Sequence, residues 1–238
     1  CSKIFLLTVA ILLTSNAYAL DPCAKDYTPI AQRYTKGLMF KVQTCGGPAN
    51  YIMGTMHSDD PKLVRQHIRG VGIMEQSQIA LFEIKFDAAA VKTTLEMMFY
   101  PPTSEKTLRT EVGDELYNRF IALASKKDPS NEKLKPWAAA IMLQYPKDVN
   151  DGIALDMRLQ QHAAAKGIAI GGLEKPEEQL SIFNSMSMDE QLESFKDVLD
   201  NYEQGQKIEK ELEAAYANSD LAALEKLIPQ SIAMSSKP

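Results

Sequence analysis

Apolar and polar positions along this chain follow two rhythms, one of strand length and one of helical period. Leu38-Met39-Phe40-Lys41-Val42-Gln43 and Asn50-Tyr51-Ile52-Met53 are short apolar runs on either side of Cys45-Gly46-Gly47-Pro48-Ala49. Two such runs around a Gly-Gly-Pro turn predict a β-hairpin. Ser58-Asp59-Asp60-Pro61 then supplies capping side chains and a proline for a first helical turn, and Val64, Ile68, Val71 and Met74 continue at helical spacing. Ile79-Ala80-Leu81-Phe82-Glu83-Ile84 is apolar and of strand length, the signature of a buried parallel strand. Ile168-Ala169-Ile170-Gly171-Gly172-Leu173 reads as the next strand and ends at Glu174.

Between those strands, Asp87 to Tyr145 is helical in pattern, broken at Pro101-Pro102 and Asp128-Pro129-Ser130. Lys135-Pro136-Trp137-Ala138-Ala139-Ala140 opens a strongly apolar helix in which Trp137 reads as a core anchor. A helix entered through Ala154-Leu155-Asp156 runs to a stop at Gly167, and Pro176-Glu177-Glu178 starts another. One long helix is predicted over about Met188 to Ala217, with Leu192, Phe195, Leu199, Tyr202, Ile208, Leu212 and Tyr216 largely on one face. A shorter helix follows from Asp220 to Ile228. The expected class is α/β (α+β): a small central mixed sheet with an N-terminal β-hairpin, flanked by many helices, and a helix-rich C-terminus.

The N-terminus changes where such a fold would work. Lys3, the apolar run Ile4 to Leu13 and the small-x-small signal Ala17-Tyr18-Ala19 make residues 1–19 a secretory signal peptide, too short to span a membrane. Residues 20–36 form a leader segment, and 37–238 the folded domain. An exported protein, periplasmic or secreted, is expected, with no transmembrane helix after cleavage. Two cysteines then remain, Cys23 and Cys45. In an oxidising compartment they form a bridge, worth about 3 kcal/mol for a loop of roughly twenty residues; the alternative is two free, partly buried thiols. A net charge of −5 and the lack of any basic block disfavour nucleic acid and anionic membranes as partners.

The chemistry centres on Gly54-Thr55-Met56-His57, an imidazole presented behind a glycine at a strand end. His57 either binds a metal or moves a proton, or is a loop histidine bonded to nearby backbone. Glu83 interrupts an apolar strand, and a buried carboxylate must be paired, coordinated or protonated. Glu174 follows two glycines, which permit close approach of backbone or ligand; alternatively it is an acidic charge at a helix N-terminus. Asp156 is either an acidic partner or a mid-helix salt-bridge residue. His67 and His162 fall on predicted helices as solvated surface residues. HExxH, Gly-x-Ser-x-Gly, GxGxxG and P-loop motifs are all missing from the sequence, which argues against thermolysin-type zinc, serine-hydrolase, dinucleotide and NTP chemistry.

The blocks Gly-Leu-Met-Phe-Lys-Val, Tyr-Ile-Met-Gly-Thr-Met-His, Phe-Glu-Ile, Lys-Pro-Trp-Ala-Ala-Ala, Gly-Ile-Ala-Leu-Asp and Gly-Gly-Leu-Glu-Lys-Pro-Glu-Glu-Gln-Leu, in this order, resemble the TraB/PrgY/GumN family over about Gly37 to Ala217. The resemblance implies an α/β domain related to TIKI-type proteases, which are regarded as metal-dependent and use two GxxH motifs and a glutamate. Gly54 and His57 match the first GxxH, Glu83 the acidic residue of the following strand, and Glu174 the glutamate of the Gly-Leu-Glu block. It implies His57, Glu83 and Glu174 as ligands of a divalent metal (Mn, Co or Zn), with Glu83 and Glu174 also as catalytic groups. The second GxxH of the family lies on a strand beyond the C-terminal helices, and no histidine follows His162 here. The domain is therefore expected to be C-terminally incomplete, with an exposed sheet edge. The function expected is a metal-dependent peptide hydrolase. The alternatives are a non-catalytic protein that sequesters a peptide or small signal molecule, and a truncated inactive family member. No pattern in the sequence fixes an oligomeric state.

Overall fold

A computed structural model describes residues 34–43, 46–124, 128–144 and 153–234. The expected signal peptide, the leader up to residue 33 and the Cys23–Cys45 bridge lie outside the described residues. The hairpin forms as the pattern predicts: β1 (Met39–Gln43) pairs antiparallel with β2 (Ala49–Met53), with Met39 opposite Met53 and Gln43 opposite Ala49. Gly46, at φ +67°, takes the left-handed turn position that only glycine occupies without strain. After a short 3-10 turn come α1 (Val64–Met74) and β3 (Ile79–Ile84), then α2 (Ala88–Met98), α3 (Leu108–Leu123) and α4 (Pro136–Gln144). Then follow α5 (Leu155–Ala165), β4 (Ala169–Glu174), α6 (Pro176–Asn184), α7 (Met188–Asp200), α8 (Tyr202–Ala217) and α9 (Leu221–Met234).

The class is the expected mixed α/β one with a helix-rich C-terminus. The strands, however, do not merge into one sheet among the described residues. The hairpin stands alone, and β3 pairs in parallel with β4, Ile79 opposite Ala169 and Ile84 opposite Glu174. Both pieces still feed one apolar cluster: Leu38 and Met53 from the hairpin side, and Ala80, Phe82 and Ile170 from the parallel pair, pack with α1, α5, α8 and α9. Gly70 allows α1 to lie against α5 and the hairpin, since a Cβ there would meet Leu159 Cδ2 at 2.9 Å and Met53 Sδ at 3.1 Å.

A second apolar cluster is purely helical. Leu108, Phe120, Trp137, Phe183, Phe195 and Leu199 join α3, α4, α6 and α7. α4 is buried over most of its residues, as its apolar composition predicts, and Trp137 is the anchor expected, stacked on Phe183 at 5.3 Å between ring centroids. The predicted long helix breaks at Asn201 into α7 and α8. The cause is the two clusters: Phe195 and Leu199 of α7 serve the helical one, while Ile208, Leu212 and Tyr216 of α8 serve the other. A straight rod of that length, about 45 Å, could not turn its apolar face from one centre to the next. The Asn201 amide, donating to the Asp197 carbonyl at 2.9 Å, closes the end of α7.

Candidate functional site

The loop that leaves β2 is fastened at both ends by α8. At its start, the Gly54 amide donates to the Leu38 carbonyl at 2.9 Å, and the Gly54 carbonyl accepts from the Tyr216 hydroxyl at 2.7 Å. At its end, the Ser58 hydroxyl donates to a Glu213 carboxylate oxygen. Glu213 and Tyr216 are three residues apart on α8 and so share a face. Between these points Met56 sinks into the apolar cluster. The Ser58 amide reaches back to the Met56 carbonyl at 2.8 Å, a three-residue turn with His57 at its centre.

Ser58 also joins the loop to α5, because its carbonyl accepts from the Leu155 amide at 3.2 Å. The next residue, Asp156, thereby meets the imidazole: His57 Nδ1 and Asp156 Oδ1 are 2.9 Å apart. Asp156 is not mid-helix. It lies in the first turn of α5, where the helix dipole favours a carboxylate, and its side chain is only 8% exposed. An ionised carboxylate only accepts, so Nδ1 carries the proton and Nε2 is the basic atom. Burial works to lower the His57 pKa, but the Asp156 hydrogen bond, the Asp156 charge and the Glu83 charge together outweigh it, and the imidazole titrates above its ordinary value. Tyr216 is pushed upward by burial and by the Asp156 charge, so its hydroxyl keeps its proton for Gly54.

A further α5 side chain holds the end of β3. Gln160, buried and one turn after Asp156, donates to the Ile84 carbonyl at 2.9 Å and accepts from the Phe86 amide at 3.0 Å. This places half-buried Glu83 where its charge reaches His57. Glu174 is elsewhere. It pairs with Ile84, one residue beyond Glu83, so alternation of the pleat puts the two carboxylates on opposite faces, and Glu174 is exposed. The glycines before it admit close neighbours of the β3 strand: a Cβ on Gly172 would lie 2.9 Å from the Lys85 amide, and one on Gly171 would lie 2.7 Å from Leu81 Cδ2.

The structure thus brings together His57, Asp156 and Glu83, with Gly54 at the root of the loop, and leaves Glu174 apart. His57 Nε2 and Glu83 are donor types that a divalent ion accepts, but they are fewer than the three protein ligands of a catalytic zinc. Among the described residues, no three His, Cys, Asp or Glu side chains converge into a metal-holding group. His67 and His162 are half-buried, not fully solvated: His162 Nε2 lies 3.1 Å from Glu75, which also pairs with Lys166 at 3.0 Å. Burial, with Arg158 and His162 nearby, lowers the His67 pKa. Ser58 and Tyr216 were expected only as a helix cap and an apolar-face residue, and Glu213 not at all; the one signal for the site was Glu213 and Tyr216 at helical spacing on α8.

Fold and site together define a helix-rich α/β protein with a carboxylate-oriented histidine at a strand end. The chain belongs to the TraB/PrgY/gumN family, whose model matches residues 38–237. No curated protein and no solved structure gives a significant match to it.

Proposed function

We propose that this protein is an exported hydrolase of peptides in which His57, oriented by Asp156, carries the proton. The 2.9 Å contact between His57 Nδ1 and Asp156 Oδ1 supports this reading most strongly, because it leaves Nε2 as the basic atom. Nε2 takes a proton from water as the water oxygen bonds to the scissile carbonyl carbon. The imidazolium then returns that proton to the departing amine nitrogen as the C–N bond breaks. Asp156 and Glu83 stabilise the imidazolium between the two steps, the same balance that raises its pKa. Because the described donors do not make a full metal-ligand set, no step here runs through a metal.

The test is cleavage of an internally quenched peptide library by the purified protein, alone and with Mn²⁺, Co²⁺ or Zn²⁺ added. Cleavage is expected to vanish in His57→Ala and to fall about 10²–10⁴-fold in Asp156→Asn. Undiminished cleavage by His57→Ala sinks the reading. Peptide binding without cleavage under every condition would transfer the site to the sequestering alternative. Export is checked by the N-terminus of the protein recovered from outside the cytoplasm, expected at Leu20.

A further inference from the structure

A groove opens where the end of α4 meets the α7–α8 junction and α9, with Leu143, Val198, Tyr202, Ile208 and Glu209 among its lining residues. Its walls are mainly apolar, and Glu209 is the one ionisable carboxyl in the lining. Among the described residues, no hydrogen bond or ion pair reaches that carboxyl. The lysines nearest in sequence do not serve it: Lys207 and Lys210 are exposed and two and one positions away on α8, spacings that point side chains apart. Burial, with the charge of Glu213 behind it, pushes the Glu209 carboxyl up to about 7. Glu209 is half-buried on the groove wall; a desolvated acid without a partner is costly to ionise, and a bound cation would remove that cost.

We propose that this groove is a binding site for a monocation on an apolar stem, the side chain of a lysine or arginine in a peptide, with Glu209 as its counter-ion. The apolar walls suit the methylene stem, which long basic side chains lay along apolar surface. The groove also lies one helical turn along α8 from the residue that fastens the His57 loop. Glu213 stands one helical turn beyond Glu209, a rise of about 6 Å, and holds Ser58 next to His57. A peptide with a basic residue in the groove would therefore extend along α8 towards the imidazole. The cation site stands on the groove alone; the peptide as its bearer rests on the hydrolase reading.

The probe is n-butylammonium at pH 7.5, titrated calorimetrically against n-butanol as the neutral counterpart. At least ten-fold tighter binding of the ammonium is expected, with the preference abolished by Glu209→Gln, a variant that removes the charge and keeps the shape. Equal binding of the two probes, or a preference that survives Glu209→Gln, overturns the site. Peptides that differ only in lysine against norleucine are then compared for binding to the protein. Equal affinity overturns the peptide assignment. If lysine peptides bind better yet none is cleaved, the cation site stands and the hydrolase reading falls.

Discussion

The two apolar centres of this molecule are built on opposite terms. The helical one, between α3, α4, α6 and α7, is closed with aromatic and alanine contacts, and its buried Trp137 Nε1 has no hydrogen-bond partner among the described residues. The other, beneath the two small sheets, has buried Ser58, Gln66, Asp156 and Gln160 at its margin, with hydrogen bonds that run between elements far apart in sequence. The first is a packing device, tolerant of little change in volume. The second gives up apolar area to hold an imidazole in one orientation. Stability and chemistry are therefore expected to respond to different residues.

The strongest way to break this contrast is at its two centres. Trp137→Ala should cost about 3–5 kcal/mol in urea unfolding, yet leave the His57 titration, followed by NMR, where it is in the parent protein. Asp156→Asn should do the reverse, with a smaller loss of stability and a His57 pKa that falls, because the opposing charge is gone while burial remains. A Trp137 variant that moves the His57 titration would show that the two centres are one.

A finer contrast lies within the site. Tyr216→Phe removes the hydrogen bond to the Gly54 carbonyl and is expected to cost about 1 kcal/mol. It should also lower the His57 pKa, as the loop loosens from Asp156. A Glu213→Gln variant keeps an acceptor for Ser58 and should leave the His57 titration nearly in place, whereas Glu213→Ala should shift it as Tyr216→Phe does. Identical behaviour of all three would remove α8 from the positioning of the loop.

The same contrast extends to the pH dependence of stability, where the groove and the site each carry one raised group. The Glu209 carboxyl is raised from 4.5 to about 7, so the folded state holds its proton where the unfolded chain has lost it. Its contribution is present below pH 4.5 and is lost as pH rises through about 7, by up to about 3 kcal/mol. His57 is also raised, so its contribution is present below 6.5 and is lost as pH rises through its folded value. Both slopes have the same sign. Glu209→Gln should flatten the stability profile between pH 4.5 and 7, measured as urea midpoints across that range, and leave the decline above it.

Much of the fold was legible because its cause is local. The hairpin, β3, β4 and the buried α4 each carry their period or their composition within a few residues, and Trp137 after Lys135-Pro136 reads directly as an anchor. The break at Asn201 was not legible, since its reason is a change of partner between α7 and α8, which no single helix records. The same holds for the site. His57 announced itself through Gly54-Thr55-Met56-His57, but Asp156 is 99 positions away and acquires its role only through the Ser58–Leu155 bond. Glu174 was open for a related reason: two glycines permit approach of backbone or ligand, and only the folded chain shows that Gly172 lies against the backbone after β3 and that Glu174 is exposed.

Gln160 gives the fold a property that neither centre has alone. With Asp156 one turn earlier on the same rigid helix, it sets a fixed spacing between the end of β3 and the histidine loop. α5 thus behaves as a gauge. A displacement at the end of β3 would be carried along α5 to the imidazole and would register there as a change in proton affinity.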